Sequence, residues 1–392
     1  MTCRAVLSTR AVGTWIGAVT RTSTRRARTA ARTSVRSPRR SPGLFVLHVA
    51  LIVLLLAVAS ATVAVRATGS FAAGPANDAL PESLRRAEVA DGGLGPLSGP
   101  PSPPGSLDSD LGAIGYRVPE RANVYAVRLV EGPEGRVYEQ YQAGGGPLAV
   151  DFWPASSIKV LAALGALDFA RSLGFSGAAS VTFDGGPSRT LRSMYEAAIR
   201  DSSNYEYDLL VQIAGLDRLN GEFLTARNGF PITSISRSYG GLEFAQSPAM
   251  VLEEGGKRTA VPARTAQRPP ECQAGNCSNL FEMTESVRRI VLSDQLPTDQ
   301  RFDLKKADLD ALSDSLQEAE GFFPAAAKGA LGSGARIWSK PGDAAGLDCL
   351  DVAFIQSRAG KRFLVAATVP HSSGGCEALG RLARGVLQLL SA

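Results

Sequence analysis

The spacing of hydrophobic residues predicts strands at both ends of a folded region and helices between them. Alternating residues in Asn123–Val130 and Arg136–Gln142 flank EGPEG and indicate a β-hairpin. Apolar residues then recur at helical spacing after Ser156, and Thr190 is placed to cap a second helix. ARIWSKPG, DVAFIQS and RFLVAATV predict three more strands ahead of a last helix at about Glu377–Leu390. This order predicts an α+β fold in which both chain ends build one antiparallel sheet and the middle forms an inserted all-helical lobe.

One segment interrupts the helical pattern of the middle. Residues 252–277 are rich in glycine, proline and charged side chains and predict an irregular insertion. Helical spacing resumes directly after it in SNLFEMTESVRRIVLS.

The leading residues differ in composition from the rest. Residues 1–42 form a basic tail, and residues 43–66 contain an uncharged run long enough to cross a bilayer as a helix. Small residues at 59–61 also fit a cleaved signal peptide, but signal cores usually have about 7 to 15 apolar residues, so the length favours a retained anchor. Residues 67–110 read as a Pro/Gly-rich linker. We therefore expect a single-pass protein of the cytoplasmic membrane, with the domain at 111–392 on its periplasmic or extracellular side.

The basic character of the chain is confined to this leading segment. Its first 66 residues carry 11 arginines and no acidic residue, whereas the whole chain has a formal net charge of +5, which leaves −6 for the remainder. The folded region is therefore acidic, and we expect no nucleic-acid partner.

The stretch FWPASSIKVLAALGAL places Ser156 three residues ahead of Lys159 at the start of a predicted helix. At this spacing the side chains share one helix face, where a lysine could take the proton of a serine nucleophile. A serine at a helix start is also a common cap, and a lysine in the first turn is commonly solvated. Other parts of the sequence must decide between the two interpretations.

Two more groups stand at predicted junctions of regular elements, Ser202-Ser203-Asn204 after the second helix and Lys340-Pro341-Gly342 in a C-terminal strand. In this order, SxxK, SxN and KxG resemble the motifs of class A β-lactamases and penicillin-binding proteins, serine enzymes that open amides through an acyl-enzyme. The resemblance covers residues 123–392. It implies a serine hydrolase that acts on β-lactams or on D-alanyl peptide amides of the peptidoglycan type, with no cofactor and no metal.

The resemblance also implies roles for the residues that match these motifs. Ser156 is the expected nucleophile, Lys159 its base, and Ser202 the relay of a proton to the leaving nitrogen. Asn204 would hold Lys159 or the substrate amide. Lys340 would attract a substrate carboxylate and, as a nearby cation, lower the pKa of Lys159.

Gly342 and Asp343 are the expected substrate-binding positions on the KxG strand. Gly342 would let the substrate backbone lie against the strand. The backbone N–H groups of Asp343 and Ser156 would form an oxyanion hole.

Two positions depart from the pattern. Pro341 replaces the usual Thr or Ser, so a hydroxyl that contacts a substrate carboxylate is missing. ISRSYGGLEF resembles the loop that carries the class A deacylation glutamate, but Ser238 and Tyr239 stand at the expected place and Glu243 is the nearest carboxylate. We expect slow deacylation unless Glu243 reaches a water beside Ser156. The second hypothesis is a penicillin-binding sensor or cell-wall-binding module with little turnover.

A Ser-His-Asp hydrolase is the alternative chemistry. Residues 111–392 contain one histidine, His371, and no GxSxG motif, so we expect a surface-loop role for this histidine.

The four cysteines after the predicted anchor are an even number, which suits an oxidising compartment. Cys272 and Cys277 are close enough in sequence to close a small loop. Cys349 lies beside the KxG strand and Cys376 at the start of the last helix, which should pack on that sheet. We expect the disulfides Cys272–Cys277 and Cys349–Cys376.

Overall fold

The computed structural model describes residues 106–132, 135–267, 272 and 275–392. The predicted basic tail, the predicted anchor or signal segment at 43–66 and most of the predicted linker lie outside these residues. Within the described part of the chain, no helix combines the length and the apolar character that crossing a membrane requires.

Strands stand at both ends of the described region, as the hydrophobic pattern predicts, and the segment between them contains helices together with short strands. The helices of about two turns or more are α1 (Leu107–Ala113), α2 (Lys159–Ser172), α3 (Leu191–Ile199), α4 (Asn204–Ala214), α5 (Leu280–Val291), α6 (Lys306–Glu318), α7 (Phe323–Leu331) and α8 (Gly375–Ser391). The strands are β1 (Asn123–Gly132), β2 (Gly135–Gly144), β3 (Ser180–Phe183), β4 (Arg189–Thr190), β5 (Ser234–Ile235), β6 (Gln246–Ser247), β7 (Met250–Glu254), β8 (Lys257–Val261), β9 (Arg264–Thr265), β10 (Asn276–Cys277), β11 (Arg336–Ala344), β12 (Asp348–Gln356) and β13 (Arg362–Pro370). A single 3₁₀ turn, Ala155–Ile158, leads into α2.

A five-stranded antiparallel sheet joins the two ends of the described region, in the order β11-β12-β13-β1-β2. The first strand pairs with the last, so that Asn123 lies opposite Thr368 and Leu129 opposite Arg362. This confirms the predicted sheet of both chain ends, and it leaves β11 on an open edge.

Two hydrophobic cores cover the two faces of this sheet. Tyr125 and Val127 of β1 pack in the core shared with the helical lobe, whereas Val124 and Ala126 pack in the core shared with α1, α7 and α8. Successive strand residues point to opposite faces, so one strand serves both cores. β12 and β13 read as almost continuous apolar runs because both of their faces are buried.

The helical lobe is built around α2. Every residue from Lys159 to Leu167 on this helix is buried, which explains why it is apolar on nearly all sides. The flanking helices begin at side-chain caps: Thr190 Oγ1 accepts the Ser193 N–H at 3.1 Å before α3, as predicted, and Ser203 caps α4.

The lobe also contains a small sheet that the hydrophobic pattern did not predict. β7 and β8 form a hairpin inside the segment expected to be irregular, and β7 pairs with β3 in a sheet of order β4-β3-β7-β8. The turn between them is Gly255-Gly256, with φ values of 58° and 82°. Two positive φ angles are what a type I′ hairpin turn requires, and paired glycines supply them without strain.

Packing begins within the predicted linker. Leu107 and Leu111, one helical turn apart on α1, are buried in the core beside α8. Ser106 caps this helix by accepting the Asp108 N–H at 3.2 Å. Composition alone hid the helix because it follows a run of proline and glycine.

Both predicted disulfides are confirmed. Cys272–Cys277 joins Cα atoms 6.0 Å apart, and Cys349–Cys376 joins Cα atoms 5.1 Å apart. The second bond attaches the start of α8 to β12, next to the open edge strand β11.

Candidate active site

Ser156 lies on the 3₁₀ turn between the hairpin and α2. The residue before it, Ala155, has a φ of 46°, a left-handed conformation that is uncommon for a residue with a side chain. The turn is held by the Ser157 N–H, which donates to Pro154 O at 3.2 Å, and by the Tyr239 hydroxyl, which donates to Ala155 O at 3.1 Å. Ser156 itself is partly exposed, so a substrate can reach its hydroxyl.

Gly342 on β11 packs directly against this turn. A Cβ at that position would lie 2.7 Å from Pro154 O and 3.1 Å from the Ala155 Cβ. The expectation for Gly342 was a close approach of the substrate backbone. The structure shows that the turn carrying Ser156 packs against Gly342, which fixes Ser156 relative to the edge strand.

Lys159 is completely buried at the start of α2. Its Nζ donates to the backbone oxygen of Ser202 and, at 2.6 Å, to Asn204 Oδ1, and it lies 3.4 Å from Ser202 Oγ. The SxN group therefore wraps around the amine of the SxxK group, as the resemblance implies.

Lys340 approaches the same hydroxyl from the edge strand. Its Nζ donates to Ser202 Oγ at 2.9 Å and to Pro341 O at 3.3 Å. Ser202 adopts a φ of 54°, so this loop too is held in an uncommon conformation. A serine oxygen accepts two hydrogen bonds, and with both lysines as donors the Ser202 hydrogen is left for a third group.

Both lysines are easier to deprotonate than a solvated lysine. Burial, followed by the charge of Lys340, lowers the pKa of Lys159 to about 7. Burial lowers the pKa of Lys340 to about 8, and the carboxylate of Asp351 opposes that shift. Both amines can therefore exchange protons near neutral pH.

Asp351 is a fully buried carboxyl on β12 opposite Pro341. Its Oδ2 accepts the backbone N–H groups of Phe322 and Phe323 at 2.7 and 2.9 Å, at the start of α7. Burial raises the pKa of Asp351 to about 7 despite these bonds. Sequence reasoning did not select this residue, because a single Asp in an apolar strand carries no motif.

The loop after Arg237 is organised by Asp208, another residue that the sequence did not reveal. The buried Asp208 carboxylate accepts the backbone N–H groups of Tyr239, Gly240 and Leu242 at 2.8 to 3.0 Å. Asp208 lies four residues after Asn204 on α4, so the two share a helix face. The spacing of four residues from Asn204 is the sequence signal that could have identified Asp208.

Tyr239, one of the two residues at the sequence position where the resemblance leads us to expect a glutamate, lies over Lys159. The centroid of its ring lies 5.9 Å from Lys159 Nζ, and the ring stacks on Tyr207 with 4.8 Å between centroids. Burial raises the pKa of Tyr239, so its hydroxyl stays protonated at neutral pH.

Glu243 does not join this cluster. Its side chain is exposed, and its carboxylate accepts the Ala245 N–H at 3.1 Å within its own loop. The carboxylate nearest in sequence to the expected position is therefore exposed to solvent.

The last expected site residue, Asp343, lies at the exposed end of β11 beyond Gly342. Its Oδ1 is 2.9 Å from His371 Nε2, and the same nitrogen lies 3.3 Å from Cys349 Sγ. His371 thus contacts Asp343 and Cys349. Asp343, His371, Cys349 and Cys376 bring their potential metal-binding atoms within 4.8 Å of one another. The two sulfurs are consumed by their disulfide, so no thiolate pair is available to a metal.

No protein-family model and no curated protein matches this chain. Solved structures do match at low identity. A variant of PBP-A in an acyl-enzyme complex with penicillin G is 18% identical, over 73% of this chain and 96% of its own, with a TM-score of 0.51. The TLA-1 extended-spectrum β-lactamase is 16% identical, over 73% and 98%, with a TM-score of 0.53.

A variant of the last common ancestor of Gram-negative bacteria class A β-lactamase is also similar, at 16% identity over 73% and 99% and a TM-score of 0.51. These similarities establish the fold, which is that of class A β-lactamases and PBP-A. The α+β, β-lactamase/transpeptidase-like architecture predicted from the sequence is confirmed.

Proposed function

We propose that this protein is a serine acyl-transfer enzyme that opens β-lactams or peptidoglycan-type peptide amides and holds the acyl group on Ser156. One observation carries the proposal. The amine of Lys159 is completely buried beside the nucleophile turn, with a pKa of about 7, and it shares the Ser202 hydroxyl with Lys340. A lysine solvated on a surface would have none of these properties.

The proton transfers follow from this arrangement. Neutral Lys159 takes the proton of Ser156 as its oxygen attacks the carbonyl carbon, and the carbon–nitrogen bond then breaks. The leaving nitrogen takes the free hydrogen of Ser202. The Lys159 ammonium, 3.4 Å from Ser202 Oγ, returns a proton to Ser202 and becomes neutral again. Both protons are thereby accounted for.

Charge that develops on the carbonyl oxygen needs two backbone donors. We assign these to the N–H groups of Ser156 and Asp343, and the packing of Gly342 against the turn that carries Ser156 supports the assignment. In other enzymes, removal of one such donor costs about 3 kcal/mol of transition-state stabilisation.

We further propose that the acyl-enzyme is long-lived. Release by water needs a base beside the ester, and the described loop offers Tyr239, which stays protonated, while Glu243 faces solvent. The protein would therefore behave as a penicillin-binding protein rather than as an efficient β-lactamase. The same observation favours a second function, a sensor or cell-wall-binding module that is acylated once.

We also propose that the domain is tethered outside the cytoplasmic membrane. The apolar run at 43–66, its flanking arginines and the two disulfides support this location. Labelling of intact cells by a membrane-impermeant amine reagent, compared with lysed cells, would test it.

The central experiment is incubation with a fluorescent penicillin, followed by intact mass and a time course of label loss. We expect one label per chain on Ser156, no label on Ser156→Ala, and normal labelling of the matched control Ser188→Ala, which changes an exposed serine. Labelling that persists in Ser156→Ala would refute the site. Rapid loss of the label with repeated turnover would refute the long-lived acyl-enzyme but not the nucleophile.

A further inference from the structure

Four side chains with metal-binding atoms meet where β11, β12 and the start of α8 come together. This four-residue group consists of Asp343, Cys349, His371 and Cys376, whose donor atoms all lie within 4.8 Å of one another. In the part of the chain that the structure describes, it is the only such group of three or more. Its two cysteines pack in the core shared with α8, on the opposite face of the sheet from the helical lobe that contains Lys159. The group is therefore separate from the proposed catalytic residues.

His371 supplies the nitrogen of the four-residue group. Its Nε2 lies 2.9 Å from Asp343 Oδ1 and 3.3 Å from Cys349 Sγ. Around tetrahedral zinc, a nitrogen stands about 3.4 Å from a carboxylate oxygen and about 3.6 Å from a thiolate sulfur, so each distance needs to grow by less than about 0.6 Å. The other edge of the ring packs against the backbone, since a Cβ on Gly375 would lie 3.0 Å from His371 Nδ1. The Nε2 edge is thereby held toward the carboxylate and the sulfur.

A cation can reach the four-residue group from solvent. The side chain of Asp343 is 51% exposed and that of His371 is 31% exposed. Cys349 is completely buried, and Cys376 is partly buried. An arriving cation therefore meets the carboxylate and the imidazole first and the sulfurs last.

Whether the group can hold a metal depends on the Cys349–Cys376 disulfide. In the bonded form neither sulfur is a thiolate, which is the form of cysteine that binds metals. A dithiol reductant transfers two electrons and two protons, becomes a disulfide itself, and leaves two thiols in the protein. Rotation about the Cα–Cβ bonds then lets the sulfurs move apart to the spacing of about 3.8 Å that two thiolates have around zinc. Zn²⁺ releases both thiol protons when it binds.

We propose that the dithiol form of this protein binds one Zn²⁺ at the four-residue group, and that the metal and the disulfide exclude each other. The ligands are Cys349, Cys376, His371 and Asp343. Thiolate, imidazole and carboxylate are the donor types that zinc takes in proteins, and four of them complete a closed tetrahedral site. In the dithiol form, zinc holds the start of α8 to β12 in place of the S–S bond. The inference does not depend on acylation of Ser156.

The test follows metal binding by the full chain after reduction with dithiothreitol and removal of the reductant without oxygen. Zn²⁺ affinity is measured by competition with a chromophoric chelator. Co²⁺ is the spectroscopic probe, because thiolate ligands give it charge-transfer bands that oxygen and nitrogen ligands do not. The variants of the site are Cys349→Ser/Cys376→Ser, His371→Ala and Asp343→Ala. Cys272→Ser/Cys277→Ser, which removes the other described disulfide, is the matched control.

We expect the reduced wild type and the matched control to bind one Zn²⁺ per chain and to show thiolate bands with Co²⁺. The oxidised wild type and Cys349→Ser/Cys376→Ser should show no such bands. His371→Ala and Asp343→Ala should each weaken Zn²⁺ binding by at least about tenfold, since even the loss of a residue that only orients a ligand has an effect of that size. Bound Zn²⁺ should also raise the urea midpoint of the reduced wild type, because a ligand that prefers the folded state stabilises it.

Thiolate bands that persist in Cys349→Ser/Cys376→Ser, or that are absent from the reduced wild type, would overturn the inference. Wild-type affinity in both His371→Ala and Asp343→Ala would also overturn it, by showing that the two thiolates bind without the rest of the four-residue group. A urea midpoint that Zn²⁺ leaves unchanged would show that the unfolded chain binds the metal equally well, which contradicts a site built by the fold.

Discussion

Replacing Lys340 by glutamine should move the pH dependence of acylation in a direction that the structure fixes. Acylation requires neutral Lys159, so its rate should rise as the pH passes the Lys159 pKa of about 7. The charge of Lys340 is one cause of that low value, second only to burial. Lys340→Gln removes the charge while the burial of Lys159 remains, so the pKa of Lys159 should rise and the acidic limb should move to higher pH.

The size of the expected pKa shift can be estimated from the Ser202 hydroxyl, which both lysines contact. Lys159 Nζ and Lys340 Nζ lie 3.4 and 2.9 Å from Ser202 Oγ, so the two nitrogens cannot be more than about 6.3 Å apart. At that distance and an effective dielectric constant of about 20 to 40, two unit charges repel by roughly 1.3 to 2.6 kcal/mol. This corresponds to about 1 to 2 pH units.

The assay is the pseudo-first-order acylation of Ser156 by a fluorescent penicillin between pH 5 and 10. The midpoint of the rising limb is the quantity compared, since a loss of binding in Lys340→Gln lowers the amplitude of the curve without moving its midpoint. Lys328→Gln, at an exposed lysine on α7, is the matched control and should leave the midpoint near 7.

A midpoint in Lys340→Gln that stays in place or falls would show that Lys159 is not the titrating base. The opposite charge gives a second check, because the Asp208 carboxylate raises the pKa of Lys159. Asp208→Asn should therefore move the limb to lower pH, in the reverse direction.

Three more predictions test the surroundings of the site. Gly342→Ala should slow acylation about 10²-fold and destabilise the fold by about 1 to 3 kcal/mol, because the added Cβ would press on Pro154 O. Penicillin labelling and urea unfolding measure the two effects. An acylation rate equal to that of the wild type would contradict this packing. Glu243→Gln should leave label loss unchanged within about twofold, since that carboxylate faces solvent, and a trapped acyl-enzyme would show the opposite. Replacing Cys349 and Cys376 by serine should lower the free energy of unfolding by about 3.5 kcal/mol in non-reducing urea titrations, and an unchanged value would refute the contribution of that loop closure.

Much of the site could be predicted because the SxxK, SxN and KxG groups resemble, in that order, the motifs of a family in which they form one site. Ser156 and Lys159 share one face at a helix start, and the strand with Lys340 belongs to a sheet that both chain ends complete. That Lys159 and Lys340 meet at Ser202 was implied by the resemblance and not by these placements alone.

The orientation of Glu243 could not be predicted from its spacing. The loop after Arg237 is positioned by backbone donors that converge on Asp208, an interaction between residues about 30 positions apart. Hydrogen bonds between residues so far apart produce no recognisable pattern in the local sequence. The nearest acid in sequence therefore points outward, while Tyr239, which carries no acid–base signal, covers Lys159.

The packing around Gly342 could not be predicted from the sequence either. From the sequence, Gly342 is expected to lie against the substrate backbone. In the structure, Pro154 and Ala155, which are far away in sequence, pack beside it. The hairpin at Gly255-Gly256 did have a signal, the paired glycines between short alternating runs. The surrounding charged residues and prolines concealed it.

The pairing of β1 with β13 has a consequence for the order of events during synthesis. The ribosome makes β1 long before its partner, since Asn123 is opposite Thr368. Until β13 emerges, one edge of the early hairpin stays open to wrong partners, which is a recognised hazard for nascent chains. The strand that carries Lys340 is also made late. A growing chain therefore contains Ser156 from an early stage but gains β11 and Lys340 only after the helical lobe has been made.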